Sequence, residues 1–278
     1  MEESREFGFQ TADFEKVRDL IHQRAGIRLS DSKKQLVYSR LSRRIRALGL
    51  KDFRSYLEHL AAEDQEMEQF INALTTNLTS FFRESHHFDY LASQAITLKP
   101  RDRPLNIWCA AASTGEEAYS IAMTLVTAFS NDRPPACIVA SDIDSQVLRT
   151  AQAGVYQAER IADLSHETKK HFFLRGRGAN AGKVRVQPFL RNMITFRQGN
   201  LLDTSLPIEA PLDIIFCRNV MIYFDKTTQR HILARMVSLL REGGLYFAGH
   251  SESFVHASDL VELIGRSVYR PVGQGGHS

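Results

Sequence analysis

Between Leu105 and Ala128 the chain changes its hydrophobic period. Leu105-Asn106-Ile107-Trp108-Cys109 is a short run rich in apolar residues, followed by small residues and Gly115. From Glu116 onward, Ala118, Ile121, Ala122, Leu125 and Val126 recur at helical spacing. The pattern predicts strand, tight turn, helix. In an α/β sheet such a turn lies at the carboxyl edge of its strand, where cofactors bind.

The alternation continues downstream. Ala136–Ala140 reads as a second buried strand ending in Ser141-Asp142-Ile143-Asp144, and Asp144 is placed to cap a helix running through Ala153. Residues 154–191 break the rhythm. His171–Arg175 and Lys183–Gln187 read as two short strands around a glycine-rich loop, Gly176 to Gly182, which predicts an inserted hairpin. Strands return at Ile194–Arg197 and Leu212–Cys217. Thr227–Leu240 is an amphipathic helix that Gly243-Gly244 is expected to end before a strand at Leu245–Gly249, and a last strand falls near Ser267–Arg270. The tail from Gly273 to Ser278 has nothing to bury and is expected to be mobile.

Upstream of the first strand the period is helical throughout. Thr11 is placed to cap a helix with Phe14, Val17, Leu20 and Ile21 on one face and Gly26 past its end. A second helix from about Ser32 puts Val37, Leu41, Ile45 and Leu48 on one stripe and Arg40, Arg43 and Arg46 together on the far side, facing water or a partner. Phe53, Tyr56, Leu57 and Leu60 mark a third helix; Met67, Phe70, Ile71 and Leu74 mark a fourth. The reading is therefore a small all-α domain over 1–85 and an α/β domain over 86–278, with a β subdomain inserted at about 154–191.

Composition changes little in this picture. Of 278 residues, 43% are hydrophobic and 24% charged, as in an ordinary globular chain. The acidic start MEESREFGF lacks the apolar run of a signal peptide, and no stretch is long and apolar enough to span a bilayer. Cys109, Cys137 and Cys217 lie far apart in apolar runs and read as buried free thiols of a cytoplasmic protein. The net charge of +3 is too small to argue for nucleic acid, but it is unevenly spread. Between Arg28 and Lys51 eight basic residues face one acid, Asp31, and the next segment is acidic, which suggests a docking face.

Two acidic residues directly after Gly115 narrow the chemistry. Glu116 and Glu117 occupy the helix N-terminus where a dinucleotide would seat its pyrophosphate, and the spacing is not G-x-G-x-x-G. This disfavours a phosphate-bearing ligand and favours one with cationic parts, such as S-adenosylmethionine, although first-turn acids also simply stabilise a helix. Asp142, 27 residues beyond Gly115, is placed either to accept ribose hydroxyls or to cap. The loop Thr75–Glu84 is suited either to closing over a ligand or to linking domains. His86 and His87, adjacent on a helix, point apart, so no metal role is expected for them.

Taken together, TTNLTSFFRE, AASTGEEAYSIAM, SDID, GNLL, IFCRNVMIYFD and the late GHSES resemble the CheR family of bacterial chemoreceptor glutamate methyltransferases, from the N-terminal helices to the last strand. The resemblance implies a class I S-adenosylmethionine methyltransferase (Rossmann-like) domain with an inserted antiparallel β subdomain, preceded by a small all-α N-terminal domain. It implies methyl esterification of glutamates in the cytoplasmic helices of chemoreceptors, releasing S-adenosylhomocysteine. Carried over, the cofactor contacts are Asn77, Thr79, Arg83, Glu117, Asp142, Asn200, Leu201, Cys217 and Arg218. Arg83 and Tyr223 are similar to residues placed around the methyl-transfer site. Arg40, Arg43 and Arg46 then become a guide for an acidic receptor helix. The compact loop Gly176–Gly182 is similar to that of members which grip a C-terminal receptor pentapeptide by strand addition. A monomer without metal, nucleic acid or membrane insertion is expected. Two other readings are a non-catalytic adaptor that binds the cofactor and docks on receptors, and a nucleic-acid methyltransferase. Against the latter, no aromatics interleave with the arginines, and neither N/D-P-P-Y nor a catalytic Cys pair occurs.

Overall fold

The computed structural model describes residues 6–206 and 208–273, so the first five residues of the acidic start and all but the first residue of the expected tail lie outside the described residues. The chain divides into two compact units. One comprises residues 1–76 with Tyr223–Asp225, and the other comprises Asn77–Ile222 with residues 226–278.

The helical unit contains α1 (Thr11–Ala25), α2 (Lys34–Ala47), α3 (Phe53–Ala62) and α4 (Asp64–Leu74). Each buries the stripe its period predicts: Phe14, Val17 and Ile21 on α1, Val37, Leu41 and Ile45 on α2, Phe53, Tyr56 and Leu60 on α3, Phe70 and Leu74 on α4. Three details differ from the sequence reading. Thr11 is the first helical residue rather than the cap; Gln10 is the cap, its N–H bonded to Asp13 at 2.8 Å. Leu48 is exposed because it sits beyond the last turn of α2. Arg40 does not stand on a solvent face with Arg43 and Arg46. It is half-buried, donating to the carbonyls of Ala73 (3.2 Å) and Thr75 (2.6 Å) at the end of α4, where the helix leaves its last acceptors unsatisfied. Arg43 is exposed, and Arg46, also exposed, pairs with Glu6.

The second unit adds α5 (His86–Leu98), β1 (Leu105–Ala110), α6 (Glu116–Phe129), β2 (Ala136–Asp142), α7 (Ser145–Ala153), β3 (Val155–Gln157), α8 (His166–Phe172), β4 (Phe173–Arg175), β5 (Lys183–Val186), α9 (Pro188–Arg191), β6 (Ile194–Gln198), β7 (Leu212–Cys217), α10 (Lys226–Leu239), β8 (Leu240–Phe247), β9 (Val261–Gly265) and β10 (Val268–Pro271). The main sheet has the order β6-β2-β1-β7-β8-β10-β9. From β6 to β8 the strands are parallel, and β10 and β9 complete the edge antiparallel. Strands β1 and β7 are almost wholly buried, as the continuous apolar runs of a covered parallel sheet require. Sequence order runs outward from β1 through β2 to β6 and resumes on the other side at β7, so the topological switch point lies between β1 and β7.

Residues 154–191 form a three-stranded antiparallel sheet, β3-β5-β4, rather than the expected two-stranded hairpin. Val155–Gln157 supplies the third strand, and His171-Phe172, read as strand, closes helix α8. Gly243-Gly244 do not end α10 ahead of a strand. They lie inside β8, where Leu212 pairs with Leu240 but Ile214 with Leu245, so the glycines absorb a bulge. Cys137 is exposed, contrary to its apolar setting, because β2 turns Ala136 and Ile138 to the core and Cys137 to the other face; Cys109 and Cys217 are buried. Among the described residues no helix is long and apolar enough to cross a membrane.

In the helical unit, Glu66 is buried and accepts from Arg44 Nε (3.0 Å), Arg44 Nη2 (2.6 Å) and Tyr56 Oη (2.9 Å). Burial holds the Tyr56 hydroxyl well above its ordinary value, so it remains a donor. Arg44→Met leaves this carboxylate buried without its counter-charge and is expected to destabilise the unit by about 3 kcal/mol. Thermal unfolding of the full chain checks this, and adding Glu66→Gln should recover most of the loss.

Candidate active site

The parallel strands β1, β2, β6 and β7 direct their carboxyl ends to one edge, and the loops that follow them build the cleft. Gly115 ends the first loop with φ +95°, a conformation that favours glycine. A Cβ there would lie 2.8 Å from Ala151 Cβ and 3.1 Å from Tyr156 Oη. Five non-glycine residues of the surrounding loops also have left-handed backbones: Phe82, Glu84, Ala111, Ser113 and Asn219. Such strain persists only where neighbouring groups enforce it.

Those neighbours can be named. Asp142, buried at the end of β2, accepts from Ser113 N (2.8 Å) and Asp144 N (2.9 Å), fixing the loops after β1 and β2 to each other. Asn77 joins the same group, donating to Asp144 Oδ2 (2.8 Å) and accepting at its carbonyl from Ser113 Oγ (3.1 Å). Asp144 also caps α7 through Gln146 N at 2.8 Å, the role expected of it. Burial, reinforced by the nearby Asp144 charge against the pull of the backbone N–H groups, pushes the Asp142 carboxyl up to about 6. Gly199 N donates to the Asp142 carbonyl (3.0 Å), which brings Asn200 and the buried Leu201 to the same edge.

A second group centres on Arg218, whose side chain is closed to solvent. It pairs with Glu117 (2.7 Å) and Glu84 (2.9 Å), donates to the Arg83 carbonyl (2.6 Å), and lies 5.7 Å over the Phe88 ring. Burial works to raise the Glu84 carboxyl, yet Arg218, Asn219 and the His250 N–H outweigh it and hold it at about 2. For Glu117 burial prevails over Arg218, and its carboxyl lies above the ordinary value. Burial and Arg218 hold the His87 imidazole down to about 3, so it is neutral, while His86 stacks on His250 at the surface.

This geometry corrects the sequence argument about charge at the glycine turn. Neither Glu116 nor Glu117 stands as a free carboxylate that repels phosphate: Arg160 pairs with the first and Arg218 with the second. The Cys217 and Arg218 side chains are buried, and the Arg218 guanidinium is taken up by its ion pairs. Thr79 likewise has its carbonyl taken, by Arg160 at 2.7 Å. Arg83 turns one guanidinium N–H to the Leu78 carbonyl (2.9 Å). Tyr223 groups with the helical unit, its carbonyl accepting from Arg28 N at 3.0 Å. Glu84, Ser113, Arg160 and Glu252 escaped sequence reasoning as site residues. Glu252, the acid of GHSES, is buried and accepts four backbone N–H groups, those of Gly249 (2.6 Å), Met221 (2.7 Å), Val220 (2.9 Å) and Asn219 (3.0 Å), which holds the left-handed turn after β7. Among the described residues no cluster of three or more His, Cys, Asp or Glu is arranged to hold a metal.

A parallel sheet with its switch point between β1 and β7 and a buried aspartate at the end of the second strand is the frame of a class I S-adenosylmethionine methyltransferase domain, here following an all-α domain. Comparison with known proteins agrees. The family model described as CheR methyltransferase, SAM binding domain, matches residues 77–270, and CheR methyltransferase, all-alpha domain, matches residues 12–75. The chain is 57% identical to chemotaxis protein methyltransferase 2 of Pseudomonas aeruginosa, covering 96% of each chain. It is 48% identical to the chemotaxis protein methyltransferase of Escherichia coli, covering 93% of this chain and 90% of that one. The chain belongs to the CheR methyltransferase family. Among solved structures it has a slight likeness to PKMT2 of Rickettsia typhi in complex with AdoHcy, with a TM-score of 0.37, 14% identity, and coverage of 63% of this chain and 26% of that one.

Gly115→Ala is expected to cost about 1–3 kcal/mol from the left-handed backbone and the close Ala151 and Tyr156 atoms. Thermal unfolding measures the loss, and S-adenosylhomocysteine titration should show weaker binding.

Proposed function

We propose that this chain transfers a methyl group from S-adenosylmethionine to glutamate side chains in the cytoplasmic helices of chemoreceptors, the reaction of chemotactic adaptation. The observation that carries the reading is the switch-point cleft, where Asn77, Asp142 and the Gly115 turn are held together on the segments that relate this chain to CheR methyltransferases. S-adenosylmethionine, when bound, supplies a methyl group activated by a sulfonium. Asn77, Thr79, Asp142, Asn200 and Leu201 are the residues that would hold it, with Glu117 and the main chain at Cys217 and Arg218 completing the wall.

The residues around this wall suit a reaction that needs no protein base or nucleophile. A glutamate carboxylate is already ionised at neutral pH and attacks as it stands. Burial keeps the Cys109 and Cys217 thiols protonated, and His87 is neutral and closed to solvent. What the protein contributes is positioning and exclusion of water, which supply about 7–11 kcal/mol in well-oriented reactions. Arg83 orients the incoming carboxylate or the carboxylate of the methyl donor, and Tyr223 borders the transferred methyl group.

The receptor's acidic helices are drawn by exposed Arg43 and Arg46, with Arg40 braced behind them on α4, an effect on association rate that salt weakens. The β3-β5-β4 insert takes a C-terminal receptor pentapeptide as an added strand. The enzyme works in the cytoplasm as a monomer.

Radiolabelled methyl transfer into receptor-containing membranes, followed by base-labile release of methanol, tests the reading. Release is expected from the wild type and strongly reduced release from Arg83→Ala; label retained after base points instead to a methylated nitrogen. The Asp142 carboxyl gives a pH dependence. Ribose hydroxyls pair best with the ionised form, and protonation below about 6 turns one of its acceptor oxygens into a donor and weakens the pairing. S-adenosylhomocysteine affinity should be flat above neutral pH and about tenfold weaker near pH 5 by the titration law, and calorimetry across this range, with Asp142→Asn lacking the step, checks it.

A further inference from the structure

The segment from Asn77 to Arg83 carries three of the residues assigned to the cofactor and belongs to no helix or strand. Its main-chain groups are satisfied one at a time by side chains from elsewhere: Asn77 O by Ser113, Phe82 N by Ser120 at 2.9 Å, Arg83 O by Arg218. Thr79 O, near its middle, is held by Arg160, which lies beyond β3 in the inserted subdomain. The same Arg160 nitrogen pairs with Glu116, whose side chain is 1% exposed and which also accepts from Thr114 Oγ1 at 2.6 Å. Two further contacts follow the same route. Tyr156 of β3 donates to Thr114 O at 2.7 Å, and Phe81 of the loop packs edge-on against Tyr156 and against Phe173 of β4, at 5.1 and 5.4 Å.

We infer that Arg160 is a positioning residue for the cofactor: by bridging the Thr79 carbonyl to Glu116 it holds the Asn77–Arg83 loop against the glycine turn, which makes the inserted subdomain part of the cofactor site. The inference rests on the reading of this cleft as an S-adenosylmethionine site. It differs from a purely structural role for the ion pair, in which Arg160 only neutralises a buried Glu116. A guanidinium-to-carbonyl bond is charge-assisted, so its loss should be felt wherever the loop must be ordered for a ligand to bind.

The two roles are separated by calorimetric titration of S-adenosylhomocysteine, with thermal unfolding of each variant alongside. Glu116→Gln keeps an oxygen for Arg160 and leaves its bond to Thr79, so affinity should stay within about twofold of wild type. Arg160→Met should bind about tenfold more weakly, the change expected for one charge-assisted hydrogen bond, and should unfold at a lower temperature because Glu116 is left buried and unpaired. Arg160→Met with Glu116→Gln removes that charge, so the unfolding temperature should recover while affinity remains weak. In turnover the KM for S-adenosylmethionine should rise in the double variant, with a smaller effect on kcat. Recovery of affinity together with stability in the double variant overturns the inference, as does wild-type affinity in Arg160→Met. A wild-type protein that does not bind S-adenosylhomocysteine overturns the cofactor reading itself, on which the inference depends.

Discussion

A guanidinium closed to solvent has to find its acceptors inside the protein, and most of the cleft is arranged around the way Arg218 does so. Glu84 and Glu117 supply the charge, the Arg83 carbonyl takes a further N–H, and the Phe88 ring lies beneath. These partners come from the loop before α5, from the first turn of α6 and from α5 itself, so one side chain at the end of β7 ties three segments to the sheet edge. Two carboxylates for one cation leave a net negative charge at a buried place. The protein tolerates it because Glu84 is ionised by several donors, while burial draws Glu117 toward protonation.

The same economy of regular structure runs through the site. The loops at the sheet edge use left-handed residues that are not glycine, at Phe82, Glu84, Ser113 and Asn219. Each is held by a specific polar group: Ser120 for Phe82, Arg218 for Glu84, Asp142 for Ser113 and Glu252 for Asn219. Gly249 has to be bare because a Cβ there would meet Asn219 Nδ2 at 2.3 Å. Strain of about 1–3 kcal/mol per residue in such conformations is offset by these hydrogen bonds, which fix the loops relative to one another. Helix α6 supplies part of this through Ser120, which accepts from Phe82 N while donating to its own Glu116 carbonyl.

The elements of the fold were largely legible because their periods are strong. The buried strands β1 and β7 are unbroken apolar runs, and the stripes on α1 to α4 fall where a helical period puts them. Misreadings occurred where a residue's usual meaning yields to its setting. Gly243 and Gly244 looked like a helix stop and form a bulge, Cys137 looked buried from its neighbours and points outward, and Arg40 looked free and satisfies the end of α4. Around the sheet edge, the position of Asp142 was legible because a strand end fixes it, and the Gly115 turn because of its backbone demand. Arg160, Glu84 and Glu252 were not, since their partners lie far along the chain: Arg160 meets Glu116 across 44 residues and Glu252 meets Asn219 across 33. Local pattern carries no information about such pairs. The two glutamates after Gly115 show the cost of this, because their charge was visible and their neutralising arginines were not.

The three short strands of the insert contribute Tyr156, Phe173, Val184 and Val186 to the same apolar cluster as the main sheet, rather than to a core of their own. Strands of three or four residues hold little independent stability, so this element borrows its rigidity from Phe81 and α6. It is therefore not an exchangeable cassette. Grafting the insert of one relative onto the body of another would succeed only where the aromatic at position 81 and the residues it meets were transplanted as a set, which ties changes in the insert to changes in the body that carries it.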